Sequence, residues 1–310
     1  MSLAFLYAGQ GTQHAGMGAD LYEAYPAFRA VLDGAQVAFD LKTTMFSDPD
    51  GVLNQTEYTQ PCMVAFAAGM TALLYERGIR PDYAAGLSLG EYSALEAAGV
   101  FTASEATALA AFRGRAMAKA AQGRPCGMTA VLGLGREALQ VACTQAAGEG
   151  LGVVEIANYN CPGQLVIGGD QAAVDRAAAL SKEAGAKRCL PLKVSGPFHT
   201  SLLSAAGDAL REKFQTVTFR PMAFPVLFNC LGREMGPEDT IPALLERQVQ
   251  SSVYMEDTIR RLAELGVDTI VEIGPGKALS GFVRKTAPEI KTYAVETCAD
   301  LEALSDALKG

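Results

Sequence analysis

The sequence has only two histidines, His14 and His199, and neither lies in a cluster of metal-binding residue types. Its seven cysteines are scattered, their number is odd, and no two of them form a C-x-x-C pair. A zinc site needs several His, Cys or carboxylate ligands at short spacing, so this composition argues against one. Disulfide frameworks use an even set of cysteines, so we expect reduced, mostly buried thiols in a cytoplasmic protein.

Long apolar stretches are also lacking. The longest, residues 62–74, has the length of a buried helix and is too short to span a bilayer. Residues 3–7 have no basic leader before them and are typical of a first strand rather than of a signal peptide. The 26 Lys and Arg residues are outnumbered by 34 Asp and Glu residues, which argues against general binding to nucleic acid. We therefore expect neither a membrane nor a nucleic-acid partner.

One serine lies in a pattern that is typical of a nucleophile. Residues 84–95 read as a short strand, a sharp turn at Ser88 and then a helix, with Gly86 and Gly90 two residues away on each side. Such a turn is too tight for side chains at the two glycine positions, and it holds the hydroxyl at the positive end of the helix. An oxyanion formed there would meet the backbone N–H of Leu89.

A glycine-rich turn, residues 9–18, follows the first strand. Its spacing fits neither the dinucleotide fingerprint nor a Walker loop, which requires Gly-Lys-Ser/Thr. A standard nucleotide site is therefore not expected. The turn can instead place Gln10 beside another loop at the same edge of the sheet.

The order of strands and helices predicts an α/β fold. Alternating elements imply a mostly parallel sheet covered on both faces, and the serine turn makes this part α/β-hydrolase-like. From residue 125 to 194 the order is βαββαβ, the ferredoxin-like pattern. We predict a large domain formed by residues 1–124 and 195–310, with a small ferredoxin-like lobe, 125–194, inserted. We also expect Pro61 in the first turn of a helix that opens at residues 59–61 and ends at Gly78.

Two further side chains are candidates for the chemistry. His199 lies on a loop at a helix start, and it is a better partner for an activated serine than His14, whose loop we expect to be mobile. Arg113 lies beside Phe112 at the edge of an apolar helix face, where an arginine more often extends its charged end to solvent than serves a site.

Five stretches together resemble the malonyl-CoA:acyl-carrier-protein transacylases of fatty-acid synthesis and the related acyltransferases of polyketide synthesis. They occur in the family's order and span nearly the whole chain: residues 9–13, 86–95, 112–114, 195–199 and 272–277. The family's serine is usually preceded by histidine, whereas this chain has Leu87 there. Any polar role of that neighbour is therefore absent.

The resemblance implies transfer of a malonyl group from malonyl-CoA to the phosphopantetheine thiol of an acyl carrier protein, through a malonyl-serine intermediate. It implies the following roles: Ser88 as nucleophile, His199 as general base, Gln10 and the Leu89 N–H as oxyanion donors, Arg113 as partner of the substrate carboxylate, Phe198 as a pocket residue that favours malonyl over methylmalonyl, and the Gln248 carbonyl as the group that orients His199. We expect malonyl-CoA as substrate, no tightly bound cofactor, and a monomer.

Elementary chemistry supports these roles. A serine is a poor nucleophile at neutral pH unless an imidazole takes its proton. The free carboxylate of a malonyl thioester would cost several kcal/mol to bury without a partner. Arginine offers a planar, two-pronged donor that lysine lacks.

Other interpretations use the same serine turn. A serine hydrolase or thioesterase would need a triad acid between serine and histidine, for which Asp170 and Asp175 are the available aspartates. A non-catalytic, carrier-binding subunit would not need serine, histidine and arginine together. A freestanding polyketide acyltransferase and the malonyl-transferring subunit of a malonate decarboxylase would keep the chemistry in another pathway.

The carrier raises an electrostatic question, because acyl carrier proteins of such systems are acidic and this chain is acidic as well. Local positive charge must then favour association. Two sets of basic residues are candidates: Lys182, Lys187, Arg188 and Lys193 on the small lobe, and Lys277, Arg284 and Lys285 near the end of the chain.

Overall fold

A computed structural model describes residues 1–309, and it divides the chain into two compact units. The first unit contains residues 1–115, 218–228 and the chain from 260 onward. The second contains residues 116–217 and 229–259. The sequence-based boundaries, 125–194 for the small lobe, stay a prediction; the second unit contains that segment and extends beyond it.

Helices and strands alternate along most of the described chain. The helices are α1 Ala19–Ala24, α2 Pro26–Asp33, α3 Leu41–Phe46, α4 Thr56–Glu76, α5 Gly90–Ala97, α6 Ala103–Ala121, α7 Arg136–Gly148, α8 Gln171–Glu183, α9 Ser204–Phe214, α10 Ile241–Val249, α11 Met255–Glu264, α12 Ala278–Thr286 and α13 Cys298–Lys309, with a 3₁₀ turn at Ser201–Leu203. The strands are β1 Leu3–Tyr7, β2 Tyr83–Gly86, β3 Cys126–Leu132, β4 Val154–Cys161, β5 Gln164–Asp170, β6 Arg188–Pro191, β7 Leu227–Phe228, β8 Arg233–Glu234, β9 Val253–Tyr254, β10 Thr269–Ile273 and β11 Lys291–Val295.

The first unit is built on a parallel sheet with the order β11-β10-β1-β2. Strands β1 and β10 are buried along their whole length, as expected of parallel strands that are covered on both faces. Tyr7 is level with Gly86 on one side and with Ile273 on the other. The loops after β1, β2 and β10 therefore leave the same edge of the sheet, the edge where α/β folds bind ligands.

The second unit contains the predicted ferredoxin-like element order. Strands β3 to β6 lie in the order β6-β3-β5-β4, with antiparallel pairing throughout. Helices α7 and α8 supply one apolar face and the strands the other, in a core that includes Leu139, Cys143, Val174, Ile156 and Ile167. The two-residue strand β9 adds to β4 in parallel, a pairing that the sequence did not predict because so short a strand carries no periodicity.

The helix around Pro61 begins earlier than the sequence predicted. It starts at Thr56, so Pro61 lies inside the helix rather than in its first turn. The Thr59 hydroxyl donates to the carbonyls of Leu53 and Gln55. Thr59 therefore lies within the helix, and its hydroxyl contacts carbonyls of residues just before the helix, so Thr59 is not the residue that opens it.

The segment 272–277, one of the five family-like stretches, has a clear structural role. The carboxylate of Glu272, fully buried at the penultimate position of β10, accepts hydrogen bonds from the N–H groups of Leu279 and Ser280 at 3.0 and 2.8 Å. These amides belong to the first turn of α12, where backbone N–H groups have no partner within the helix. Glu272 thus joins the central sheet to α12 and satisfies two buried donors.

A largely buried carboxyl group, that of Glu96, should make the stability of the protein depend on pH. Burial raises the pKa of Glu96, on α5, to about 8, so the folded protein keeps this group protonated at pH values where the unfolded chain ionises it. The free energy of unfolding should therefore fall as pH rises from about 4.5 to about 8, by up to about 1.4 kcal/mol per pH unit.

In the variant Glu96→Gln the side chain at position 96 is neutral at every pH. The stability of the variant relative to the parent should therefore increase as pH rises from 5 to 8. Urea unfolding of both proteins at several pH values measures the difference. Parallel pH dependences would show that Glu96 is not the group responsible.

Candidate active site

The turn at Ser88 has the strained geometry of a nucleophile elbow. Ser88 has a φ of +51°, in the left-handed region that serine rarely adopts. A Cβ at Gly86 would lie 2.0 Å from the carbonyl carbon of Gly90, and a Cβ at Gly90 would lie 2.3 Å from the carbonyl oxygen of Tyr7. Only glycine fits at either position, so both flanking residues are required by backbone contact rather than by flexibility.

The N-terminus of α5 lies directly beneath this elbow. Leu89 is the N-cap residue and Gly90 the first residue of the helix. Backbone amides at a helix N-terminus point away from the helix and form its positive end. The N–H of Leu89 is therefore at the position where a negative oxygen bonded to the Ser88 acyl group would be stabilised.

The loop that carries Gln10 packs against the same elbow. A Cβ at Gly9 would lie 2.5 Å from the carbonyl oxygen of Leu87, so the two loops are in backbone contact. The side-chain amide of Gln10 donates to the hydroxyl of Thr56 at 3.1 Å. Thr56 is the first residue of α4 and was not among the predicted site residues.

Arg113 is fully buried, which the sequence did not indicate. Its exposed fraction is 0%, so it does not extend to solvent in the way that an arginine at the edge of an apolar face usually does. Its Nη2 atom donates to Ser88 Oγ at 3.2 Å. The guanidinium carbon lies 5.5 Å from the centre of the Tyr92 ring, a favourable distance for a cation over an aromatic face.

The electrostatic setting of Arg113 is a buried charge with local compensation. Burial lowers the pKa of Arg113, and the nearby Tyr92 and Glu91 oppose this shift. Both of these residues are also fully buried. Because an arginine pKa starts near 12.5, the side chain stays charged at neutral pH. A cation held beside a hydroxyl in this way can bind an anionic group.

In the second unit, His199 is held in one orientation by a backbone carbonyl. Its Nδ1 lies 2.9 Å from the carbonyl oxygen of Gln248, and both residues are buried. Because a carbonyl only accepts, Nδ1 carries the proton and the neutral ring keeps Nε2 free of hydrogen, as a general base requires.

The position of Gln248 explains why its carbonyl is available as a hydrogen-bond acceptor for His199. Gln248 is the second-last residue of α10, and the last four carbonyls of a helix have no partner within it. The C-terminus of the helix is also its negative end, which stabilises the cation that forms when the imidazole takes a proton. His199 itself has a φ of +60°, so its backbone is strained as well.

The residues around His199 fix its loop. Phe198 is 7% exposed and packs against the backbone of Gly196. The carboxylate of Glu155 accepts from the backbone N–H and the hydroxyl of Ser201 at 2.8 and 2.6 Å. The sequence did not single out Glu155, because a lone acidic residue on a strand has no local signature.

The predicted site residues fall into two groups. Gln10, Ser88, Leu89 and Arg113 belong to the first unit, where the structure brings Arg113 to Ser88 and the Gln10 loop to the elbow. Phe198, His199 and Gln248 belong to the second unit, where His199 meets the Gln248 carbonyl.

The candidate triad acids are engaged elsewhere. Asp170 pairs with Arg124 and accepts from the N–H of Val153, and Asp175 accepts from Gln171 on the same helix. Nδ1 of His199 bonds to a carbonyl, so neither aspartate orients the imidazole as a triad acid would.

His14 does not lie in an unrestrained loop. Its Nε2 forms a hydrogen bond and ion pair with Glu296. Among residues 1–309, no group of three or more His, Cys, Asp or Glu side chains could hold a metal ion. No helix in this part of the chain is long and apolar enough to cross a membrane.

Comparisons with known proteins show the family of this chain. The family described as "Acyl transferase domain" matches residues 4–301. A malonyl CoA-acyl carrier protein transacylase of Bacillus subtilis is 39% identical over 309 residues, covering 99% of this chain and 97% of the relative. A crystal structure of a malonyl CoA-acyl carrier protein transacylase from Clostridium perfringens has a TM-score of 0.96 and 36% identity. The match covers 100% of this chain and 98% of the Clostridium chain.

A third similar protein was solved together with a partner. It is a malonyl-transacylase in complex with its type II polyketide-synthase acyl-carrier protein, with a TM-score of 0.94 and 34% identity. The match covers 99% of this chain and 100% of that one.

The elbow geometry gives a direct test at Gly90. In Gly90→Ala the new Cβ would overlap the Tyr7 carbonyl of a central strand, which cannot move away cheaply. We expect a loss of more than about 2 kcal/mol in the free energy of unfolding, measured with urea. The control Gly148→Ala, with no atom within 4 Å of its Cβ, should be neutral or gain up to about 1 kcal/mol. Equal stability of the two variants would contradict the close approach.

Proposed function

From the premise that this chain belongs to the acyl transferase domain family, we propose that it transfers a malonyl group from malonyl-CoA to the phosphopantetheine thiol of an acyl carrier protein, in fatty-acid synthesis. The enzyme is an acyltransferase. The observation that carries the malonyl assignment is the buried guanidinium of Arg113 at 3.2 Å from Ser88 Oγ.

The proposed reaction has two half-reactions at one hydroxyl. His199 Nε2 takes the proton of Ser88 as Oγ attacks the thioester carbon of malonyl-CoA. The resulting oxyanion accepts from the Leu89 N–H and the Gln10 amide. The carbon–sulfur bond then breaks, CoA leaves as the thiol with the proton from His199, and malonyl-Ser88 remains. The carrier thiol reverses these steps, with His199 taking its proton and returning it to Ser88.

Substrate choice rests on Arg113. A neutral acyl group would leave this buried cation without an anionic partner from the substrate, whereas the malonyl carboxylate matches the two-pronged donor. Phe198 is the proposed limit on substituents at the substrate α-carbon. One additional methyl group there should cost only about 1–3 kcal/mol, so the carboxylate is the stronger criterion.

The His199–Gln248 hydrogen bond supports transfer over hydrolysis. A carboxylate at Nδ1 would raise the basicity of the imidazole, which helps to activate water. A carbonyl orients the ring and adds no full charge. The polyketide acyltransferase and the malonate decarboxylase subunit use the same site chemistry and differ in the carrier that takes the malonyl group.

The surface is compatible with an acidic carrier. All seven basic residues of the two candidate sets are exposed. In the first set, β6 and the chain after it also expose Leu190, Leu192 and Val194 by 38–45%. A docking surface of this kind combines steering by charge with apolar contact. We further propose a cytoplasmic monomer that needs no tightly bound cofactor.

The covalent intermediate gives the primary test. Incubation with malonyl-CoA should add one malonyl mass to the protein, located on the peptide that contains Ser88, and Ser88→Ala should abolish it. Intact-mass and peptide mass spectrometry measure both. An added mass on a cysteine, or none at all, would overturn the mechanism.

The role of Arg113 gives a second test. Arg113→Ala should reduce malonyl transfer by at least about 100-fold and acetyl transfer by less than about tenfold, because acetyl carries no carboxylate. Arg113→Lys keeps the charge and loses the two-pronged donor, so its rate of malonyl transfer should lie between those of the parent and of Arg113→Ala. The matched control is Arg115→Ala, at an exposed position of the same helix. Equal losses with both acyl groups would remove the assigned role.

A further inference from the structure

Side-chain hydrogen bonds hold the loop between β1 and α1 at both ends of its exposed part. On one side, Gln10 donates to Thr56, and the Gln13 amide donates to Asn54 at 2.8 Å. The backbone N–H of Gly11 donates to Gln13 Oε1 at 2.7 Å. On the other side, the loop is held through His14, which is only four residues after Gln10.

Both ring nitrogens of His14 face oxygen acceptors. Nδ1 lies 3.0 Å from the carbonyl oxygen of Ala15, and Nε2 bonds to a carboxylate oxygen of Glu296. A neutral imidazole has one N–H and one lone pair. Either neutral tautomer would therefore point a lone pair at an oxygen atom. Only the imidazolium, with two N–H groups, satisfies both contacts.

Glu296 is itself fixed in place. Its second carboxylate oxygen accepts from the N–H of Gly276 at 3.0 Å, in the loop after β10. The carboxylate therefore links His14 to the edge of the sheet from which the Gln10 loop and the Ser88 elbow both leave.

Other charged groups surround this link. Asp300 on α13 accepts from the N–H of Glu296 and of Thr297, Asp20 on α1 accepts from the N–H of Cys298, and Lys277 follows Gly276. Two of these three are acidic, and acidic neighbours favour the charged form of His14.

We propose that His14 is a positioning residue whose imidazolium clamps the Gln10 loop to Glu296, so that the oxyanion donor is aligned only while His14 is protonated. This inference rests on the proposed function, because it assigns Gln10 to the oxyanion. His14 touches neither the substrate nor Ser88 in this scheme; it acts through the loop.

The sign of the pH dependence follows from the contacts. The Ala15 carbonyl and then the Glu296 carboxylate raise the pKa of His14 above its ordinary value of 6.5. The clamp is therefore fully formed below about pH 6.5 and is lost as pH rises through the folded pKa. His199 must be neutral to act as base, so acid also slows the reaction. The two histidines of the chain thus set opposite limbs of a bell-shaped profile.

Nuclear magnetic resonance tests the clamp without substrate. With ring-¹⁵N-labelled histidine only two side chains give signals, and His14→Gln identifies them. The His14 titration midpoint should lie above 6.5 and should fall in Glu296→Gln. A midpoint at or below 6.5, or one that Glu296→Gln leaves unchanged, would overturn the clamp even if the enzyme transfers malonyl groups as proposed.

Kinetics test the consequence for the reaction. The rate of malonyl loading from malonyl-CoA is measured by quenched-flow mass spectrometry between pH 6 and 9. In the parent we expect the loading rate to decrease by about tenfold at alkaline pH. This is less than the ~100-fold loss of rate that follows removal of a whole oxyanion donor. His14→Lys stays charged to about pH 10, so its loading rate should show no alkaline decrease in this range.

His14→Gln cannot titrate, so it should retain the acid limb and have no alkaline limb. An alkaline limb in His14→Gln like that of the parent would contradict the proposal. If the clamp is seen by resonance but Ser88 is never loaded, the clamp stands and the proposed function fails.

Discussion

The proposed chemistry depends on one contact, the hydrogen bond between the Arg113 guanidinium and the Ser88 hydroxyl. A fully buried cation is costly unless its surroundings compensate it, and here Tyr92 and Glu91 do so in part. The hydroxyl can reach this cation because Gly86 and Gly90 let three segments of backbone approach within contact distance. Removing any of these features would separate the Ser88 hydroxyl from the guanidinium to which the proposal assigns substrate choice.

Helix ends provide the remaining electrostatics. Ser88 precedes the N-terminus of α5, whose positive end favours the oxyanion, and His199 bonds to a carbonyl of the last turn of α10, whose negative end favours the imidazolium. Each group thus lies at the helix end that stabilises the charge it acquires in the proposed reaction. In the proposed reaction, these backbone dipoles take the place of a carboxylate on His199.

Elements with a strong local signal were predicted well from the sequence. The βαββαβ order predicted for residues 125–194 matches the antiparallel arrangement of β3 to β6. The predicted start of α4 was wrong. Proline is typical of the first turn of a helix, but Pro61 lies about one turn further along, inside the helix. The segments at 19–46 and the strands β9 and β11 were not predicted, since short elements carry too few residues for periodicity to be recognised.

The sequence alone determined the elbow, because the spacing of Gly86, Ser88 and Gly90 is a local backbone requirement that any reader of the chain can see. Only the tertiary structure decided which distant groups each candidate residue contacts. Arg113 is 25 residues from Ser88, and its burial depends on how α6 packs. Gln248 contributes a backbone carbonyl, which has no residue signature. His14 and Glu296 are 282 residues apart, and no local pattern could have shown that a folded sheet brings their charges together.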